Sequence, residues 1–117
     1  MLSKQRCVPC NSQSQALTEE ALQPLLVQLD GWQVVTEGGH KLLRKRYILA
    51  DFQQAMLAAQ QIAELAEQFD HHPALLVEWG KLTVNWWTHT IAGLHLNDFV
   101  LAAKCDDLPV FSVTGGQ

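Results

Sequence analysis

At 117 residues the chain is long enough for one hydrophobic core and too short for two, and 48% hydrophobic with 17% charged residues is the composition of an ordinary globular domain. A formal charge of −4 argues against broad nucleic-acid binding, because a phosphate-binding face needs an excess of Lys and Arg. No apolar run is long enough to cross a bilayer and the N-terminus lacks the apolar core of a secretory signal, so a cytoplasmic protein with no membrane contact is expected.

Residues 1–17 are polar and without apolar periodicity, which predicts a flexible tail. The tail carries Cys7-Val8-Pro9-Cys10, but a structural zinc needs four ligands and the remaining cysteine, Cys105, lies near the other end of the chain. An odd number of cysteines fits a reducing compartment better than a disulfide framework. Thr18 then offers an N-cap, and Glu19 and Glu20 suit the positive end of a helix running to about Leu29. Pro24 should make that helix start late or bend. Trp32 to Thr36 and Lys41 to Leu49 read as antiparallel strands joined by Glu37-Gly38-Gly39-His40, with Trp32 in the core. The basic run from Lys41 to Arg46 reads as a solvated strand face rather than a phosphate site.

Asp51 caps the longest predicted helix, over 52–68, in which Phe52, Ala55, Met56, Ala59, Ile62, Ala63, Ala66 and Phe69 recur at helical spacing as a core-facing stripe. Asp70 to Pro73 ends it, because the residue before a proline is pushed out of the α region. Leu75 to Trp79 and Leu82 to Thr88 form a second hairpin through Gly80-Lys81, with Trp86 and Trp87 on opposite faces. Ala92-Gly93 is a turn, and Asn97-Asp98 opens a last helix from Phe99 to Cys105. From Asp107 to Gln117 no element is expected.

The order α-β-β-α-β-β-α predicts an α+β domain over 18–106, between tails 1–17 and 107–117: a four-stranded antiparallel sheet with three helices on one face. The strand from Leu75 to Trp79 carries one charge, Glu78, and neither lysine nor proline, so as a sheet edge it invites self-association.

Three of the five histidines, His71, His72 and His89, lie between Glu67 and Asp98. Histidine suits acid–base work near neutral pH. Adjacent residues cannot point the same way on a helix or a strand, so His71 and His72 should face different walls, which disfavours both as ligands of one ion. A metal-dependent hydrolase using His71, His72, His89 and Asp98 is the alternative, although the pair lacks the H-x-H or H-x-x-x-H spacing that puts two rings on one face. Glu67 precedes His71 by one helical turn, on the same side of the helix end, and is placed to orient an imidazole. His40 and His95 receive no role.

The series Glu67, His71-His72-Pro73, Trp79, His89, Asp98 resembles the signature of the pterin-4a-carbinolamine dehydratases. Upstream, Asp30-Gly31-Trp32, Arg44-Lys45-Arg46-Tyr47 and Asp51-Phe52 are similar to the first half of that family. Ala74-Leu75 stands where family members often carry Glu-Trp, and His95 where they often have Ser or Thr. The resemblance implies dehydration of a 4a-hydroxytetrahydropterin to the quinonoid dihydropterin, without cofactor or metal, recycling pterin for an aromatic amino-acid hydroxylase. It implies His71, His72 and His89 as catalytic residues and Glu67, Asp70, Thr88 and Asp98 as substrate-binding ones. It further implies a homodimer or homotetramer and, as an alternative role, a protein-binding dimerisation cofactor.

Overall fold

The computed structural model describes residues 16–89 and 93–113, the last two by their backbone alone. The Cys7 and Cys10 pair and Ala92 lie outside the described residues. Helix α1 (Glu19–Leu26) begins where the Thr18 side chain accepts from Ala21 N–H at 3.2 Å, with the two acids in its first turn. Pro24 lies inside it, and the helix stops at Leu26 rather than Leu29. The expected tail does not extend through Leu17, whose N–H donates to Leu94 C=O at 2.7 Å.

Strands β1 (Gln33–Glu37) and β2 (His40–Ile48) pair antiparallel with Glu37 opposite His40. The two-residue turn between them, Gly38 and Gly39, has φ of 61° and 82°, a left-handed pair that glycine adopts without strain. Strands β3 (Ala74–Glu78) and β4 (Lys81–Trp86) form the second hairpin, Glu78 opposite Lys81, so its turn is Trp79-Gly80, one residue earlier than predicted. The hairpins join through β2 and β4, with Leu43 opposite Trp86, giving one antiparallel sheet in the order β1-β2-β4-β3. β3 is therefore an edge strand, as expected.

Helix α2 (Phe52–Phe69) is capped by Asp51, which accepts from Gln54 N–H at 2.8 Å. Its buried residues are Ala55, Ala58, Ile62, Leu65 and Ala66. Phe52, Met56 and Ala63 of the predicted stripe are exposed. The helix carries two apolar rows, and only packing decides which meets the sheet; the alanines at 55 and 58 let the backbone approach closely. Helix α3 (Leu96–Asp106) starts three residues before the expected Phe99, with His95 as N-cap.

The expected absence of structure after Asp107 is corrected by a short helix, α4 (Pro109–Val113). Pro109 starts it, a position where a missing N–H costs nothing, and Val110 N–H finds the Gln61 side chain of α2 at 3.3 Å. Phe111 stacks on Tyr47 with centroids 3.8 Å apart, extending the core. Five residues are too few for helical periodicity to show in the sequence.

Leu43, Tyr47, Leu82, Val84 and Trp86 face the helices and are buried. The basic run of β2 is not simply solvated, since Lys45 also lies on the helix side. Its Nζ bonds to Asp106 Oδ1 and Asp30 C=O, both at 2.9 Å. Asp106 additionally accepts from Tyr47 O–H and, at 3.1 Å, from Trp32 Nε1–H, pinning the end of α3 to the sheet. Trp32 is core, as expected.

Candidate active site

Four chain segments meet at one end of the sheet: the end of α2, the start of β3, the end of β4 and the start of α3. Asp70, in the left-handed conformation at φ 50°, ends α2. Aspartate tolerates this better than most side chains, and the turn separates the directions of the residues that follow. His71 then points inwards and His72 outwards, as their adjacency predicts. The His71 side chain is 11% exposed and that of His72 50%.

His71 lies over the buried Trp86 ring, centroids 5.9 Å apart and planes at 25°. Its Nε2 is 2.7 Å from Asp98 Oδ1. Asp98 is wholly buried at the third position of α3, where Oδ2 accepts from His95 N–H at 2.9 Å and from Thr88 O–H at 2.8 Å. His95 reciprocates, its Nδ1 accepting from Asn97 N–H at 3.1 Å, so residues 95–98 close a capping box in which histidine stands where Ser or Thr is usual. A buried carboxylate persists only when its oxygens are met by donors, and here three donors meet them. Thr88 is itself placed by an isolated bridge to Gly93, N–H to C=O at 2.8 Å.

His72 Nε2 lies 2.7 Å from Glu67 Oε2, so Glu67 meets the second histidine of the pair rather than the first. The Glu67 side chain is 77% exposed and open to further partners. His89, one residue beyond Thr88, brings its Nε2 to 3.2 Å from the His72 carbonyl and stacks on Trp87. The three histidines thus share one corner, with His89 linked to His72 directly.

A carbonyl or an ionised carboxylate only accepts, so each of these imidazoles donates through Nε2–H when neutral. Among the described residues, Nδ1 is thus the ring nitrogen left without a protein partner in all three.

Of the expected site residues, Glu67, His71, His72, Thr88, His89 and Asp98 come together, and Asp70 shapes the turn beside them. Thr88 and Asp98, expected to touch substrate, are 2% and 0% exposed and are occupied by protein partners. Sequence reasoning missed the part played by His95; the acid three residues after it was the available signal, obscured because histidine is an unusual cap. Among the described residues no three His, Cys, Asp or Glu side chains are grouped as the ligands of one ion.

The sequence matches the family model for pterin 4 alpha carbinolamine dehydratase over residues 15–108. A relative from Vibrio cholerae, provisionally named pterin-4-alpha-carbinolamine dehydratase, is 53% identical over 108 residues, 92% of this chain and 99% of the relative. A similarly named protein from Vibrio vulnificus is 48% identical over 108 residues, 92% of this chain and 98% of its own length. Among solved structures, a Brucella melitensis protein described as a transcriptional coactivator/pterin dehydratase is similar with a TM-score of 0.72 and 30% identity, covering 86% of this chain and 99% of that one.

Proposed function

The chain belongs to the pterin-4-alpha-carbinolamine dehydratase family of hydro-lyases, and from that premise we propose that it eliminates water from a 4a-hydroxytetrahydropterin by histidine acid–base catalysis. The observation that carries this reading is the convergence of His71, His72 and His89, each anchored through Nε2.

Hydroxide is a poor leaving group. The bond from C4a to oxygen breaks readily only if a proton reaches the departing oxygen, which then leaves as water, while a ring N–H proton is removed as the carbon–nitrogen double bond forms. His71 and His89 serve as the proton-exchanging groups on the two faces of the carbinolamine. His72, held by Glu67, lines the pterin, and the second Glu67 oxygen takes a ring N–H. Asp98 and Thr88 act through His71: burial keeps them from substrate, and their bonds fix its ring. The product is the quinonoid dihydropterin, whose reduction would return pterin to an aromatic amino-acid hydroxylase.

The test is stopped-flow absorbance of freshly generated 4a-hydroxytetrahydropterin, with and without the protein. Failure to accelerate dehydration over the spontaneous rate overturns the reading. Activity abolished by chelation and restored by zinc would favour the hydrolase alternative instead.

The protein is further proposed to self-associate through β3. Leu76 and Trp79 beside this edge are 55% and 71% exposed, and β3 contains no lysine or proline to block pairing. A homodimer results, or a homotetramer if a second surface joins. The exposed Phe52, Met56 and Leu57 on α2 offer such a surface, and also support a second reading as a protein-binding dimerisation cofactor, in keeping with the double description of the Brucella protein. Histidine substitutions that abolish dehydration while leaving partner binding intact would separate the two roles. No helix among the described residues is long and apolar enough to cross a membrane.

A further inference from the structure

His40 and Trp87 lie beside the site without a part in the chemistry. His40 opens β2, and Trp87 directly follows β4 and packs, partly buried, against the core. The Trp87 ring stacks on His89 with centroids 4.4 Å apart and planes at 12°, and His40 lies 5.9 Å from Trp87 on a tilted plane at 38°. Trp87 is half-buried while His89 is exposed, so the better-held ring supports the freer one.

Apart from that stack, the His89 ring has one bond among the described residues, Nε2 to the His72 carbonyl at 3.2 Å. One hydrogen bond leaves a ring free to twist about the bond axis. A flat partner on its face removes that freedom, because an indole and an imidazole attract best when offset and parallel. The two contacts together define both the plane of the ring and which nitrogen carries hydrogen.

We propose that Trp87 is a positioning residue for His89: its indole face and the His72 carbonyl hold the imidazole as the Nε2–H tautomer with Nδ1 presented to the substrate, and His40 closes the row of rings. The proposal rests on the reading of His89 as a proton-exchanging group. It gives the neutral ring one lone pair to offer, so no ring flip precedes proton transfer, and displacement by a fraction of an ångström is prevented by a rigid neighbour.

The test is the ring 15N spectrum of His89 at alkaline pH, where imidazoles are neutral, in the full-length wild type and in Trp87→Leu and Trp87→Phe. The wild type should show a protonated Nε2 and an unprotonated Nδ1. Trp87→Leu should give a mixture of tautomers and a fall in kcat on the order of tenfold with KM kept. Trp87→Phe, which retains a flat face, should recover most of both. A wild-type His89 protonated on Nδ1 overturns the proposal without any variant having to fold. So does an unaltered tautomer in a folded Trp87→Leu, or an equal loss in the Leu and Phe variants, which would mark bulk packing alone. A chain that lacks dehydratase activity but whose His89 tautomer still depends on Trp87 would overturn the proposed function and support the positioning.

Discussion

His71 Nε2 and Asp98 Oδ1 lie 2.7 Å apart although 27 positions separate them, and the carboxylate involved is wholly buried. The pair ties the corner after α2 to the first turn of α3, so the same aspartate both caps a helix and sets a proposed catalytic ring.

Asp98→Ala should therefore damage stability and activity together. It leaves Thr88 O–H, His95 N–H and His71 Nε2 without their acceptor, and unmet donors in a buried setting carry a penalty of about 3 kcal/mol in sum. Chemical denaturation should show a lower midpoint, and kcat of the folded fraction should fall by roughly 10²-fold as His71 loses its orientation. A variant as stable as the wild type would contradict the network.

His89→Gln separates chemistry from folding, because His89 is exposed and makes one side-chain hydrogen bond among the described residues. Its stability should stay within about 0.5 kcal/mol of the wild type. Dehydration should slow by roughly 10²- to 10⁴-fold, the usual contribution of a general acid or base. Stopped-flow rates alongside a thermal melt provide the check; a fully active variant would remove His89 from the mechanism.

Asp106 holds together a different part of the molecule. Trp32, Tyr47 and Lys45 all donate to it, and the Lys45 and Asp106 side chains are only 20% and 27% exposed. Asp106→Ala should cost about 3 kcal/mol, since it takes the carboxylate from a partly buried ammonium, leaving it the Asp30 carbonyl alone among the described residues, and removes the acceptor of two further donors. Urea unfolding should show a reduced midpoint with an unchanged slope.

Cys105 should be chemically silent in the native protein. It is fully buried in the core, and burial pushes its thiol well above the ordinary range, with the neighbouring Asp106 charge adding to the shift. Alkylation at mildly alkaline pH followed by peptide mapping should find Cys105 unmodified until denaturant is added. Labelling of native protein at Cys105 would show that the α3 core opens readily.

Leu76→Lys addresses assembly. Leu76 is 55% exposed on the edge strand, and a lysine there would desolvate a charge at any seam formed by β3 with its own copy. Sedimentation should show a shift towards monomer. A wild type already monomeric at micromolar concentration would refute self-association through β3.

Local chemistry in the sequence was enough to place most of the elements: Thr18 and Asp51 as caps, the glycine pair at 38 and 39 as a hairpin turn, Asp70 to Pro73 as the end of α2, and the alternation of Leu82, Val84 and Trp86 as one face of β4. Each depends on contacts within a few residues, which residue types and spacing encode directly. The histidines of the corner were legible too, because adjacency alone sends His71 and His72 to different walls. What spacing cannot encode is which side chains from distant segments meet. Glu67 on His72 rather than His71, Asp98 buried beneath His71 rather than facing substrate, the choice between two apolar rows on α2, and the seating of Phe111 against Tyr47 all follow from how the helices settle on the sheet. Only tertiary packing decides these, because it is the exclusion of water between layers that gives one contact an advantage over its near-equivalent neighbour.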